Sequence, residues 1–322
     1  MVGTSIPSTA LPKAASLTEV LLAPSPPLVE LSELHRLRHT FECELQMAAG
    51  PLDPKDRVRV DTYRLRNSMT GKNEADSPFR WTPWTARRPI GVESVRACLS
   101  NPRLTPVQAT HEAIARLIRR ADDERRPDSL SGWLAGLAIG GRAVVQAEAV
   151  VWTTQLLTAL DWTKLGRPAV GGDRSVVVGS SGHVLLRGRI EVLARALSGD
   201  GSFGPQPVLF SMMTGRPGPT ARAELGLTAL TVTLDDRHSE IPLRVIGWWP
   251  QCGRALVVPV DVALLSRTCE AVVATVRATA PTRRGPRFAE MATRESAERK
   301  TTRTAPRTAR KPPIISAERV AS

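Results

Sequence analysis

The apolar residues change period once along the chain, and this change constrains the fold more than anything in the composition. The segment GRAVVQAEAVVWTTQLLTALDW (141–162) reads as one long helix, and the residues after it alternate as strands do. Two extended runs share 174–196, joined by the hairpin signal Gly179-Ser180-Ser181-Gly182. A third strand follows at 206–215, then a helix at 219–236 opened by Pro219 and Thr220. A second hairpin occupies 242–260, turning at 250–253, and a helix capped by Asp261 closes the series. The fold class is therefore α/β (α+β), with an α-β-β-β-α-β-β-α core.

The residues before this core read mostly as helices. A Pro/Ser-rich leader at 1–28 precedes 30–49, where Leu31, Leu34, Leu37, Phe41 and Leu45 follow helical spacing. His35 and His39 share one face there, but no third ligand accompanies them, and the segment reads as a solvated helix. RVRVDTYRLR (57–66) alternates as a strand or extended arm. A long polar stretch then sets Trp81 and Trp84 among Arg80, Arg87 and Arg88, and helices resume at Gly91. Four regions result: a disordered leader (1–28), a mostly helical region packed on the core (29–140), the core (141–280) and a basic disordered tail (281–322). Adjacent strand residues face opposite ways, so one of Trp248 and Trp249 needs cover from outside the core helices, and residues 30–140 are the available candidate.

Charge points to a polyanion. The 322-residue chain carries +13, almost all of it from Arg, which suits forked contacts with phosphates as well as a high-GC genome. Eleven Lys and Arg against four Glu put +7 of this charge after residue 280. Arg283, Arg284, Arg287, Arg303, Arg307, Arg310 and Lys311 are candidate DNA contacts in that tail. Arg80, Arg87 and Arg88 are candidates in the folded part, where aromatics among arginines can track a nucleic-acid backbone. Cys43, Cys98, Cys252 and Cys269 form no CxxC and read as free thiols. The N-terminal stretch is interrupted by Lys13, Glu19 and prolines, so no signal peptide or membrane span is expected, and the cytoplasm is the expected location.

The chemistry-bearing positions lie on the hairpin and on the strand after it. The hairpin's second strand contains Gly188-Arg189-Ile190-Glu191, and the next strand ends Ser211-Met212-Met213-Thr214-Gly215. With the element order, these stretches resemble the RecB-type exonuclease branch of the PD-(D/E)XK nuclease superfamily, over roughly 141–278. The resemblance implies an Asp where Glu191 stands, an Asp-x-Lys where Ser211 and Met213 stand, and a further metal-binding acid on the preceding helix, for which Glu148 is the candidate. Carboxylates in such enzymes hold Mg²⁺, and a Lys orients the attacking water. Here Ser211 brings no charge and Met213 no cation, so the site is expected to be vestigial, with no cofactor or only weakly bound Mg²⁺ on Glu148 and Glu191. Arg187, Arg189 and Glu191 share one strand face, and an ion pair with a neighbouring arginine is the other use open to Glu191. The expected function is that of a catalytically inactive, DNA-associated accessory or scaffold protein. Two alternatives stand beside it: an active nuclease with displaced ligands such as Asp173 or Glu224, and a protein-interaction module that binds a protein partner and no nucleic acid.

Overall fold

Several helix starts follow local capping chemistry, although the expected Thr220 makes no side-chain cap. The computed structural model describes residues 16–50, 57–72, 79–124, 129–179, 182–235 and 240–279. Ser16 and Glu19 form a capping box that opens α1 (Leu17–Leu22), inside what the composition suggests is a flexible leader. Leu21 and Leu22 are buried, so apolar contacts hold this part of the leader. Helix α2 spans Leu31–Ala49. The arm expected at 57–66 is a strand only at β1 (Val58–Val60). Asp61 then accepts a hydrogen bond from the Arg64 N–H and starts α3 (Thr62–Met69). The polar stretch with Trp84, Arg87 and Arg88 is also helical. Thr82 and Thr85 cap α4 (Pro83–Ser100), which starts before the expected Gly91 and runs on through Pro89.

Helices α5 (Pro106–Glu124), α6 (Leu130–Gly136) and α7 (Ile139–Ala159) follow, and α4 lies against α7. Gly91 allows that approach, since a Cβ there would stand 2.1 Å from the Trp152 ring. Ala86, Ile90, Ile114, Leu134, Val145 and Ala149 form one core among these helices. A second core joins Leu21 and Leu22 of α1, Val92 and Val95 of α4 and Trp152 and Leu156 of α7 to the strand residues Val192, Phe210 and Ile246. Residues from before and after position 140 thus share both cores, and the described residues up to Ala278 form one compact unit.

Among the described residues five strands, rather than three, separate α7 from the next α-helix: β2 (Ala169–Val170), β3 (Arg174–Val178), β4 (Val184–Gly188), β5 (Val192–Leu197) and β6 (Phe203–Met212). The single run expected at 184–196 is broken at 189–191, where the chain leaves one sheet and enters another. Strands β3 and β4 pair as the expected hairpin, and β1 adds to β4 in parallel. The second sheet has the order β2-β5-β6-β7-β8, with β7 at Arg244–Trp249 and β8 at Arg254–Pro259. Its β6–β7 pair is parallel and its other pairs are antiparallel. Helix α8 (Ala221–Thr233) connects β6 to β7, and α9 (Val262–Thr279) follows β8 with Asp261 accepting from the Leu264 N–H. The fold is α+β, built on two mixed sheets.

Gly188 marks the break between the sheets. A Cβ there would lie 1.9 Å from Thr231 Oγ1 and 3.1 Å from Thr228 Cα, so only glycine lets α8 sit this close to β4. The two tryptophans of β7 divide as strand alternation requires. Trp248 packs on the core shared with α1, α4 and α7, its ring 6.2 Å from that of Phe210. Trp249 is buried, its ring beside Gly247, which meets Leu225 of α8. Among the described residues, no helix is long and apolar enough to cross a membrane.

Candidate functional site

Backbone pairing places Glu191 at the centre of the junction between the sheets. Its N–H donates to the Phe210 carbonyl at 3.0 Å, and its carbonyl accepts from the Gly171 N–H at 2.7 Å. The β5–β6 ladder begins at the next residue, Val192, which pairs with Phe210, so Glu191 stands beside the end of β6 that carries Ser211. The side chain is fully buried. One carboxylate oxygen accepts from Arg88 Nε at 2.7 Å and Arg189 Nε at 2.6 Å, and the other accepts from the Met212 N–H at 2.9 Å. Burial alone would push the Glu191 pKa up, but the Arg189 and Arg88 guanidiniums outweigh it and hold the carboxyl below the ordinary range.

Arg88 comes from the second turn of α4 and also reaches the loop before β3. Its Nη2 lies 2.7 Å from Asp173 Oδ1, an ion pair off the line of a hydrogen bond, and donates to the Ile190 carbonyl at 3.3 Å. Asp173 in turn accepts from Arg187 at 2.5 Å. Burial pushes the Asp173 pKa up, and Arg88 and Arg187 together more than offset this, leaving it lowered. For Arg88 itself burial disfavours the charge, but Glu191 and Asp173 reverse the sign, and its pKa is raised. The result is an alternating chain of charges: Arg187, Asp173, Arg88, Glu191, Arg189.

The remaining candidates fall outside this chain of contacts. Glu148 on α7 meets Arg87 at 3.4 Å, so Glu148 and Glu191 engage different guanidiniums. Arg87 stacks its guanidinium 3.1 Å from the centre of the Trp84 ring, a cation–π contact. Burial lowers the Arg87 pKa, with Glu148 opposing only part of the effect. Glu224, at the start of α8, is buried in a two-pronged pair with Arg66 at 2.8 and 2.5 Å and accepts from the Thr220 hydroxyl at 2.8 Å. Ser211 donates its hydroxyl to the Arg189 carbonyl at 2.8 Å. Met213 is half-buried just past β6, its N–H bonded to the Trp248 carbonyl.

This geometry corrects two expectations. The carboxylates of the weak metal pair are both committed to arginines, Glu148 to Arg87 and Glu191 to Arg88 and Arg189, and among the described residues no three His, Cys, Asp or Glu side chains group as a metal ion would need. Each carboxylate is neutralised by guanidinium, so the residues present do not fit Mg²⁺. Arg87 and Arg88, expected on a nucleic-acid surface, turn inward with side chains 11% and 17% exposed. Arg80 is exposed, whereas Arg283, Arg284, Arg287, Arg303, Arg307, Arg310 and Lys311 lie outside the described residues. An Arg189–Glu191 pair was open to the sequence, although the two residues meet in the break between β4 and β5 and not along one strand. The Arg88 and Arg66 partnerships span 103 and 158 positions, and no local signal announces them. No protein-family model matches this chain, and no curated protein matches it in sequence.

Proposed function

We propose that the chain is a non-catalytic relative of the RecB-type PD-(D/E)XK nucleases, acting as a DNA-associated accessory or scaffold protein. The observation that carries this reading is the state of Glu191: fully buried and neutralised by Arg88 and Arg189. Phosphodiester hydrolysis on such a scaffold requires a metal-activated water and a cation to offset charge on the phosphate. Here the carboxylates already hold cations of the protein's own, and the Ser211 hydroxyl is directed to a backbone carbonyl. The net charge of +13 supports DNA association, with most of the excess beyond residue 280. The Arg87 and Arg88 ion pairs move the expected DNA contacts away from α4.

The test is cleavage of double- and single-stranded DNA with MgCl₂ or MnCl₂. No hydrolysis above background is expected. Cleavage that disappears in a folded Glu191→Gln variant would refute the proposal.

A further inference from the structure

Arg88 is held as a bound cation would be held. Three oxygens from separate positions converge on its guanidinium: Glu191 Oε1 at 2.7 Å, Asp173 Oδ1 at 2.7 Å and the Ile190 carbonyl at 3.3 Å. The side chain carrying the charge belongs to α4, a helix outside both sheets. The geometry points to a monocation site at the junction of the two sheets, formed by Asp173, Glu191 and the Ile190 carbonyl and filled in cis by Arg88. This deepens the non-catalytic reading and rests on it only for the location of the site.

Charge balance selects a monocation. Asp173 and Glu191 carry two negative charges, and Arg187 and Arg189 already supply two positive ones. Without Arg88 the cluster is neutral, so an entering ion adds its whole charge to a buried site. A guanidinium leaves a single excess charge, spread over a planar fork that donates to Glu191 and the Ile190 carbonyl and pairs with Asp173. A divalent ion would leave two, and Mg²⁺ also wants about six oxygens at about 2.1 Å, more than this cage offers. The nearby Glu148 and Arg87 cancel each other and leave the balance unchanged.

The site has a structural consequence. Glu191 lies where the chain passes from β4 to β5, and Asp173 lies just before β3. Arg88 therefore ties α4 to both sheets at once, as a structural metal would, with no dependence on metal supply.

Chemical rescue tests the assignment. Arg88→Ala should lower the melting temperature by on the order of 10 °C, because it leaves a buried carboxylate short of a partner. Ethylguanidinium chloride should restore several degrees of that loss, whereas tetramethylammonium chloride at equal ionic strength and MgCl₂ should not. Greater rescue by MgCl₂ or MnCl₂ than by ethylguanidinium, or none by ethylguanidinium, overturns the proposal. Should Arg88→Ala not fold, Arg88→Lys and Arg88→Met give the same decision. Lys keeps a monocation and should be the more stable of the two; an equal or more stable Met variant overturns the site. In the unaltered chain, Mn²⁺ followed by electron paramagnetic resonance should show no site tighter than millimolar, and a tighter one in this cage refutes the monocation assignment. DNA cleavage bears on the non-catalytic reading alone, whereas the rescue bears on the cage.

Discussion

Replacing Glu191 by Gln keeps the shape of the side chain and removes the charge that organises the junction. The amide oxygen can still accept a hydrogen bond, but the amide nitrogen that replaces the other oxygen can only donate. Three donors, Arg88 Nε, Arg189 Nε and the Met212 N–H, converge on the carboxylate, so at least one loses its acceptor. Arg88 is itself largely buried and keeps only Asp173 as a counter-charge. Breaking one partner out of a buried ion pair costs about 3–5 kcal/mol, and Arg189, a third exposed, recovers part of its own loss from water. We therefore expect Glu191→Gln to lose about 3 kcal/mol near neutral pH, read by urea denaturation followed through tryptophan fluorescence and circular dichroism.

The difference should depend on pH with a definite sign. The folded pKa of Glu191 is depressed, so its stabilisation is complete above the unfolded value of about 4.3 and is lost as pH falls through the lower folded value. The gap between wild type and Glu191→Gln should therefore begin to narrow as the pH drops below about 4 and close only below the depressed folded pKa, where the native carboxyl also becomes neutral. A gap that stays constant down to acid pH, or one below about 1 kcal/mol at neutral pH, would refute the account of Glu191 as a charged centre.

Gly188→Ala should destabilise the fold by about 1–3 kcal/mol, because its Cβ would collide with Thr231 Oγ1 and crowd the α8 backbone at Thr228. Adding Thr231→Ala should recover only part of that in the same urea assay, and full recovery would mean the α8 backbone is not in the way. Of the four thiols, Cys43 is exposed, whereas burial pushes the Cys269 thiol up to about 12. A thiol reagent at mildly alkaline pH should label Cys43 in the native state and Cys269 only on unfolding; native labelling of Cys269 would mean that α9 opens readily. DNA affinity should fall steeply with salt, and the slope should shrink when residues 281–322 are removed. An unchanged slope would place the phosphate contacts in the folded part and make Arg80 the first residue to vary.

Where neighbouring residues dictate conformation, the sequence alone was sufficient. The period of 141–162, the glycines of the first hairpin, the turn at 250–253 and the Asp261 cap each act over a few residues, and α7, β3–β4, β7–β8 and α9 follow from them. The Arg189–Glu191 pair, two positions apart, was also anticipated, although both residues lie in the break between β4 and β5 rather than on one strand face. Local signals failed where packing overrode them. The helical pattern reads from Gly91 after a polar stretch, yet the Thr82 cap starts α4 earlier, and this turns Arg87 and Arg88 from a polar loop towards the interior. The single run at 184–196 breaks just after Gly188, where α8 packs too closely for a side chain, a contact between segments some forty residues apart. The partners of Asp173, Glu191 and Glu224 were beyond the reach of any pattern, since an ion pair depends on which side chains the folded chain brings together. The sequence determined which carboxylates this protein has at its sheet junction. Only the tertiary structure decided that arginines, rather than a metal ion, would balance them, because that choice depends on α4 delivering Arg88 to Glu191 and Asp173.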